Sequence, residues 1–342
     1  MRRKTRLGLV IGLPLLVLFG LYTGFWFLVA DRLRQGLADQ AQLLRAKGLD
    51  VTWAKATVNG FPFVFRASLE DARVVDDAAK PSPEVTAEHL YATTAPWDFR
   101  HWRLSAPRGL KASFVEAGQR LPMTLAASEA TGEVGIDGGG STFLVNLTGV
   151  TAAAAATTVT AQSAEAKIVL PPHPPTGHTE PSATATIALR QVKLPAAVPP
   201  LGDTVDDVTV AATLMGPLPS GPPRQAAAAW RDAGGTLELD SLHLEWGQLG
   251  VTANGTVALD GDLQPTGAFS GAIQGYDQVM TALAASGRLR AGDIGLARIG
   301  LAMLAKAGPN GRPEIRTSFT IEGGEMRLGP VKLGPAPRIS WE

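Results

Sequence analysis

Five histidines and two carboxylate pairs are the residues of this chain best suited to chemistry. His173 and His178 stand five apart in Pro171-Pro172-His173-Pro174-Pro175-Thr176-Gly177-His178, a spacing at which two imidazoles can share a metal ion. A metal centre needs at least a third protein ligand, and no carboxylate or further histidine stands at a suitable local distance. A proline-rich surface loop explains the segment better. His243 alternates outward between Leu242 and Leu244, while His89 and His101 complete the set. Asp240 and Glu245 lie near Trp246, and Asp260 and Asp262 flank Gly261. Paired carboxylates can divide general acid and general base roles. Asp-Gly-Asp is equally the composition of a tight turn, in which a carboxylate accepts from backbone N–H groups two residues on.

The chain has no cysteine, so thiol catalysis is excluded. It also lacks a glycine-rich phosphate loop, a nucleophile elbow and a paired-histidine helix motif. The residues therefore predict no enzyme: no catalytic residue, no cofactor and no metal.

The elements around these residues begin with a strong signal. Arg2, Arg3, Lys4 and Arg6 precede 24 uncharged residues, 7–30, and Asp31-Arg32-Leu33-Arg34 closes the stretch. As a helix it would be about 36 Å long, enough for a hydrocarbon core of roughly 30 Å. The basic cluster would keep the N-terminus cytoplasmic and export the remainder. A cleavable signal is the rival reading, but signal cores are shorter, and the exit Leu28-Val29-Ala30 has a poor residue three before any cut. Phe25, Trp26 and Phe27 are placed like an interfacial aromatic belt. Gly8-x-x-x-Gly12 and Gly20-x-x-x-Gly24 offer a close approach to a second helix. The predicted order is a cytoplasmic stub at 1–6, a transmembrane anchor at 7–30 and a stalk helix at 31–48. Leu33, Leu37, Ala41 and Leu44 recur at helical spacing along the stalk, and Gly48 stops it.

Beyond the stalk the period falls to two. With the four basic residues before the anchor set aside, the exported part has a net charge near −4. That balance argues against nucleic acid as a partner and against an electrostatic grip on anionic lipid. Gly (38) and Pro (25) are abundant, which suits many short strands. Residues 49–200 are read as a β-rich N-terminal half. Phe61, Phe63 and Phe65 alternate there, and Pro62 predicts an edge strand or bulge with the three rings on its buried face. Short alternating stretches follow around Phe143 and Ile168. The alanine run at 152–156 is read as strand because Thr157-Thr158-Val159-Thr160 comes directly after it.

Residues 201–342 are read as a meander with helices. A helix is expected at 224–233, then a β-bulge at Asp240-Ser241 and a two-residue turn at Gly247-Gln248. A second turn at Asp260-Gly261 would lead into a strand through Leu263. One inner face would carry Leu249, Val251, Val257, Leu259, Phe269 and Ile273, with Thr256 on the other. Apolar stripes predict helices at 276–286 and 293–307. A final hairpin would set Ile321 opposite Met326 and Phe319 opposite Leu328. Trp53, Trp97, Trp102, Trp230, Trp246 and Trp341 are expected as core or rim aromatics, with lipid contact by some of them the alternative. The fold class is thus mainly β: an N-terminal transmembrane helix, then a long curved antiparallel sheet with a few helices packed on it.

Several segments resemble an uncharacterised family of single-pass envelope proteins of Gram-negative bacteria. They are the anchor, Val58-Asn59-Gly60-Phe61-Pro62-Phe63-Val64-Phe65, Leu201-Gly202-Asp203, Ala229-Trp230-Arg231-Asp232-Ala233-Gly234-Gly235-Thr236-Leu237, Trp246-Gly247 and Ile273-Gln274-Gly275-Tyr276. The alanine- and proline-rich middle departs from the family pattern. A looser, architectural likeness is to AsmA-like proteins, which share an anchor and β-rich periplasmic parts and are implicated in moving or organising lipid. The resemblance implies an inner-membrane, single-pass protein with most of its chain in the periplasm. It implies no catalytic residues.

Two functions are then expected. In the first, a non-enzymatic protein handles lipid or organises the envelope through an apolar β-trough lined by Phe61, Phe63, Phe65 and the six inner-face residues above. In the second, the same residues form a closed β core and the protein is a scaffold without lipid. The partners these readings allow are the inner membrane, phospholipid, other envelope proteins and a second copy through the anchor.

Overall fold

Helix α1 (Arg2–Arg45) runs unbroken through the junction predicted between anchor and stalk. The computed structural model describes residues 2–79, 81–116, 119–278, 281, 305–308, 311–329 and 331–341, with 2–16, 115, 116, 119, 120 and 331–333 described by backbone alone. Among the described residues no helix is long and apolar enough to cross a membrane. The chain forms two compact units, 1–135 and 136–342.

In the first unit α1 ends at Arg45, and Gly48, at φ +89°, turns the chain into β1 (Leu49–Thr52). The strands that follow are β2 (Lys55–Asn59), β3 (Phe65–Asp76), β4 (Ser82–Ala95), β5 (Asp98–Ala106), β6 (Leu110–Glu116), β7 (Gln119–Ala127) and β8 (Glu129–Asp137). All pair antiparallel. β3 lies between β4 and the two short strands β1 and β2. β4 pairs with β5 near its end and with β6 near its start; β7 continues from β6 and β8 from β5.

The core of this unit is the seat of α1 on the sheet. Trp26 and Ala30 pack with Val58, Phe65 and Ala67, and Tyr22, Val29, Leu33, Leu37 and Ala92 surround them. The helix residues recur every three or four positions, so one stripe meets the sheet. Leu33 and Leu37 lie where the stalk stripe was expected. Trp26 does not belong to an exposed belt, since it is buried at 3% exposure.

The Phe61 segment corrects the predicted edge strand. Residues 61–63 form a turn, and the strand begins only at Phe65. The Val64 N–H donates to the Gly60 carbonyl at 3.1 Å. A Cβ on Gly60 would meet Val64 Cγ2 and its carbonyl oxygen at 2.6 Å, so the turn requires glycine there. β3 is also internal to the sheet, with β1 and β2 on one side and β4 on the other, and Pro62, standing before it, removes none of its donors.

The second unit comprises β9 (Gly140–Ala154), β10 (Thr157–Leu170), β11 (Pro181–Val198), β12 (Gly202–Met215), α2 (Pro223–Asp232), β13 (Thr236–Trp246), β14 (Leu249–Leu259), β15 (Pro265–Gln274), β16 (Lys306–Ala307), β17 (Pro313–Glu322), β18 (Glu325–Leu328) and β19 (Val331–Pro335). From β9 to β15 each strand pairs antiparallel with the next, and β17, β18 and β19 extend the series. The alanine run closes the β9–β10 hairpin through Ala155 at φ +51°. Helix propensity favours alanine by only about 0.5 kcal/mol per residue, less than ladder pairing along both edges of β10 supplies.

The predicted bulge is present. Ala211 faces Ser241 while Ala212 faces Leu239, leaving Asp240 unpaired in register. Trp246 faces Leu249 across the two-residue turn, and Ile321 faces Met326 with Phe319 opposite Leu328. Leu263 departs from expectation: it sits in the β14–β15 turn at φ +58°, buried, and not in a strand. Asp260 closes that turn by accepting from the N–H groups of Asp262 and Gln264. The helix expected at 293–307 does not reach its predicted end, because Lys306 and Ala307 form β16 against Glu314 and Pro313. Its remainder, and the 276–286 helix beyond the helical residues 276–278 and 281, lie outside the described residues.

Candidate functional site: an apolar sheet face

The register of the second unit aligns apolar side chains into rows that cross the strands. One row runs Phe143, Ile168, Ala185, Ala212, Leu239, Gly255, Phe269, Phe319 and Leu328, from β9 to β18. The next runs Val145, Ala166, Ile187, Val210, Leu242, Ala253 and Gly271. The third runs Leu147, Ala164, Leu189, Val208, Leu244, Val251, Ile273 and Ile315. Directly paired residues share a face and successive residues alternate, so the three rows form one apolar surface. The bulge at Asp240 keeps Leu239 and Leu242 on that surface although they are three apart.

The six inner-face residues fall on it together. Leu249, Val251, Val257 and Leu259 are alternate positions of β14, Phe269 faces Gly255, and Ile273 faces Val251. A Cβ on Gly255 would lie 2.7 Å from the Phe269 ring, so glycine makes room for that ring. Phe61, Phe63 and Phe65 belong to the other unit and do not form one row. Phe65 is fully buried, whereas Phe63 is 71% exposed.

Two clefts indent the surface. One, of about 360 Å³, lies among Leu214, Ala227, Trp230, Leu237, Val257, Leu259 and Trp341. Helix α2 covers it, held where the Trp230 indole donates to the Met215 carbonyl at 2.8 Å. The Trp341 indole donates to the Leu263 carbonyl at the same distance. The other cleft, of about 280 Å³, is lined by Leu239, Val251, Phe269, Ile273, Phe319 and Leu328. Over β9 to β11 the surface is more open: Val145, Ile168 and Ile187 remain 41%, 42% and 49% exposed. The sequence signal for these was the alternation around Phe143 and Ile168. That alternation identifies the strands but not that they extend the meander's face, which depends on register.

The reverse face is polar. Across it run Asn146, Glu165, Thr209, His243, Thr252 and Arg316, beside Thr148, Ser163, Arg190, Asp207, Glu245 and Glu314. Glu314 is nearly buried, and Arg316 donates to it at 2.8 Å while Gln274 donates at 3.2 Å. Arg316 first, then Gln274, hold its carboxyl below the usual glutamate value. His243 faces solvent with Glu245 at 3.3 Å, and Asp240 accepts from Thr213 at 2.8 Å. The loop bearing His173 and His178 is tied by Glu180, which accepts from the Thr176 N–H at 2.7 Å. That bond and the Thr176 hydroxyl lower the Glu180 pKa. In the first unit the His101 ring does the same for Asp98, at 2.8 Å. Among the described residues no group of three or more His, Asp or Glu side chains is placed to hold a metal ion.

The second unit thus presents one apolar and one polar sheet face, and the apolar face offers binding area. No curated protein matches the chain. The model of one family, described as an uncharacterized protein conserved in bacteria (DUF2125), matches residues 26–337, from Trp26 in the α1 seat to just beyond β19, and the chain belongs to that family.

Proposed function

We propose that the protein is a non-enzymatic, inner-membrane-anchored periplasmic protein that handles lipid, holding acyl chains against the apolar face of its second unit. The observation that carries this reading is the run of three apolar rows, left open where Val145, Ile168 and Ile187 stand exposed. Contiguous exposed apolar side chains rimmed by polar residues are where a ligand or partner is expected to bind, which supports this reading. The anchor half of the proposal draws on the uncharged 7–30 stretch behind four basic residues, and on its continuation as one helix into the first unit.

A scaffold with a closed core is the second reading. It is favoured by α2 and Trp341, which line a cleft together with Leu237, Val257 and Leu259 and partly cover the face there. Lipid extraction and native mass spectrometry of the purified full-length chain separate the two. Phospholipid should co-purify, and Ile187→Asp should reduce it by about tenfold or more, equivalent to ~1.4 kcal/mol of affinity. A folded protein that carries no lipid would leave the scaffold. Intact mass of the membrane-extracted chain tests the anchor, and a mature N-terminus near Asp31 would overturn it.

A further inference from the structure

We infer that two turns of the first unit, with the helix surface beside them, form an aromatic apron that sinks into the headgroup region of a phospholipid bilayer. This rests on the anchor reading and goes beyond it, because it assigns lipid contact to residues outside the anchor.

The turns are brought together by the sheet. Phe65, the first residue of β3, faces Thr94 near the end of β4, so the β2–β3 turn and the β4–β5 turn lie at the same end. The first turn presents Phe63 at 71% exposure and the second presents Trp97 at 73%, with Phe61 and Phe99 less exposed beside them. α1 binds the first turn closely. Phe61 lies 5.5 Å from Trp26 and 5.8 Å from Phe27 between ring centroids, and the Tyr22 hydroxyl donates to the Pro62 carbonyl. Phe99 joins the same group through Phe65 at 5.7 Å. Trp and Tyr, here Trp97 and Tyr22, concentrate where hydrocarbon meets headgroups, and the phenylalanines beside them add apolar area.

The geometry of α1 explains why a bilayer would cover them. From Tyr22 onward the helix packs on its own sheet. Only residues 7–21 of the uncharged stretch lie before that contact, and fifteen helical residues span about 22 Å, short of a core of roughly 30 Å. The shortfall closes if the adjoining end of the unit enters the interface, which requires that end to be apolar.

The charges are distributed accordingly. Arg66 and Arg100, both exposed, stand next to the aromatic residues, as phosphate headgroups would favour. At the far end of the same strands Asp76 faces Leu49, and Asp50 and Asp77 lie beside it. That end is charged and polar, with Arg45 pairing with Asp50 at 2.6 Å. One acid, Asp98, lies among the rings between Trp97 and Phe99, where the His101 ring pairs with it at 2.8 Å.

The chain has no cysteine, so single-cysteine variants of the full-length protein can be labelled without background. Phe63→Cys, Trp97→Cys and Asp77→Cys, each carrying a small fluorophore, would be reconstituted in phosphatidylethanolamine–phosphatidylglycerol vesicles. Exposed side chains are replaced in each case, and circular dichroism checks the fold. A lipid-borne nitroxide should quench the labels at 63 and 97 at least about twofold more than the label at 77, with aqueous iodide giving the reverse order. If all three labels respond alike to iodide while the chain resists alkaline extraction, the apron is wrong and the anchor stands. If the labels at 63 and 97 escape both quenchers, protein covers them and the inference fails. Release of the chain by alkali would remove the anchor and the apron together.

Discussion

The indole of Trp26 lies flat on the ring of Phe65, with centroids 5.0 Å apart and planes 17° from parallel. That stack joins α1 to the first residue of β3, so the helix and sheet of the first unit share one core. The Trp26 Nε1 is buried without a hydrogen-bond partner among the described residues. The contact is therefore made by area and packing alone.

Trp26→Ala or Phe65→Ala should each destabilise the first unit by about 3–5 kcal/mol, the usual cost of removing a large buried aromatic. Trp26→Phe should cost much less, because it keeps a ring on Phe65 and removes the unpartnered N–H. Urea unfolding of the detergent-solubilised chain, followed by fluorescence and circular dichroism, would compare the three. Equal losses for Trp26→Phe and Trp26→Ala would show that the stack is not the source of the stability.

Asp at Val257 should destabilise the second unit by about 3 kcal/mol or more, since a charge would enter the apolar row between Leu237 and Gly267. Thr256, the neighbour on the reverse face, is a poor contrast because its hydroxyl donates to Glu238 at 2.9 Å. Thr252 is better: it is exposed and faces His243, with Arg316 one strand beyond Ala272. Thr252→Asp should be within about 0.5 kcal/mol of the parent. Similar midpoints for the two aspartates would contradict the assignment of faces.

Gly235→Ala should loosen the cover formed by α2. A Cβ at this position would fall 2.3 Å from the Trp230 Nε1 and 2.4 Å from the next ring atom. The indole must move, weakening its bond to Met215, at a cost of about 1–3 kcal/mol. Faster proteolysis within 217–235, with β13 to β15 unchanged in hydrogen exchange, is the expected signature. Unchanged protection of α2 would mean that the indole relocates freely.

Acid should act on the second unit partly through Glu314. Its folded pKa is lowered by Arg316 and then by Gln274. A carboxyl with a depressed folded pKa contributes its stability fully above its unfolded value. That contribution fades as pH falls from the ordinary glutamate value of about 4.3 through the lower folded value. Glu314→Gln should therefore flatten the loss of stability in that window, while leaving its slope near neutrality unchanged. Melting temperatures of the two proteins measured from neutrality into acid would show parallel curves if Glu314 has no part.

Much of the second unit was readable from local pattern. Side chains in a strand alternate strictly, so Leu249, Val251, Val257 and Leu259 could be assigned to one face, and Asp240 to a bulge, without knowing their neighbours. The turn at Gly247-Gln248 and the final hairpin followed from short-range turn geometry. The stalk stripe at Leu33 and Leu37 was legible for the same reason, with the helical period in place of two.

What needed the tertiary structure was every property set by a residue distant in sequence. Phe61, Phe63 and Phe65 have the spacing of a strand, yet Gly60 and Val64 close a turn, so Phe65 meets Trp26 while Phe63 faces outward. Trp26 reads as an interfacial residue until the sheet it packs on is known. In the middle, alanine and threonine differ too little in polarity to show which side of β9 to β11 is apolar. Ile187 is assigned by the pairings that place it between Ala166 and Val210. Periodicity along a strand is local and survives in the sequence. Register between strands is a non-local choice, made by the hydrogen-bond ladder and the burial it permits, and it alone turned separate alternating segments into one face.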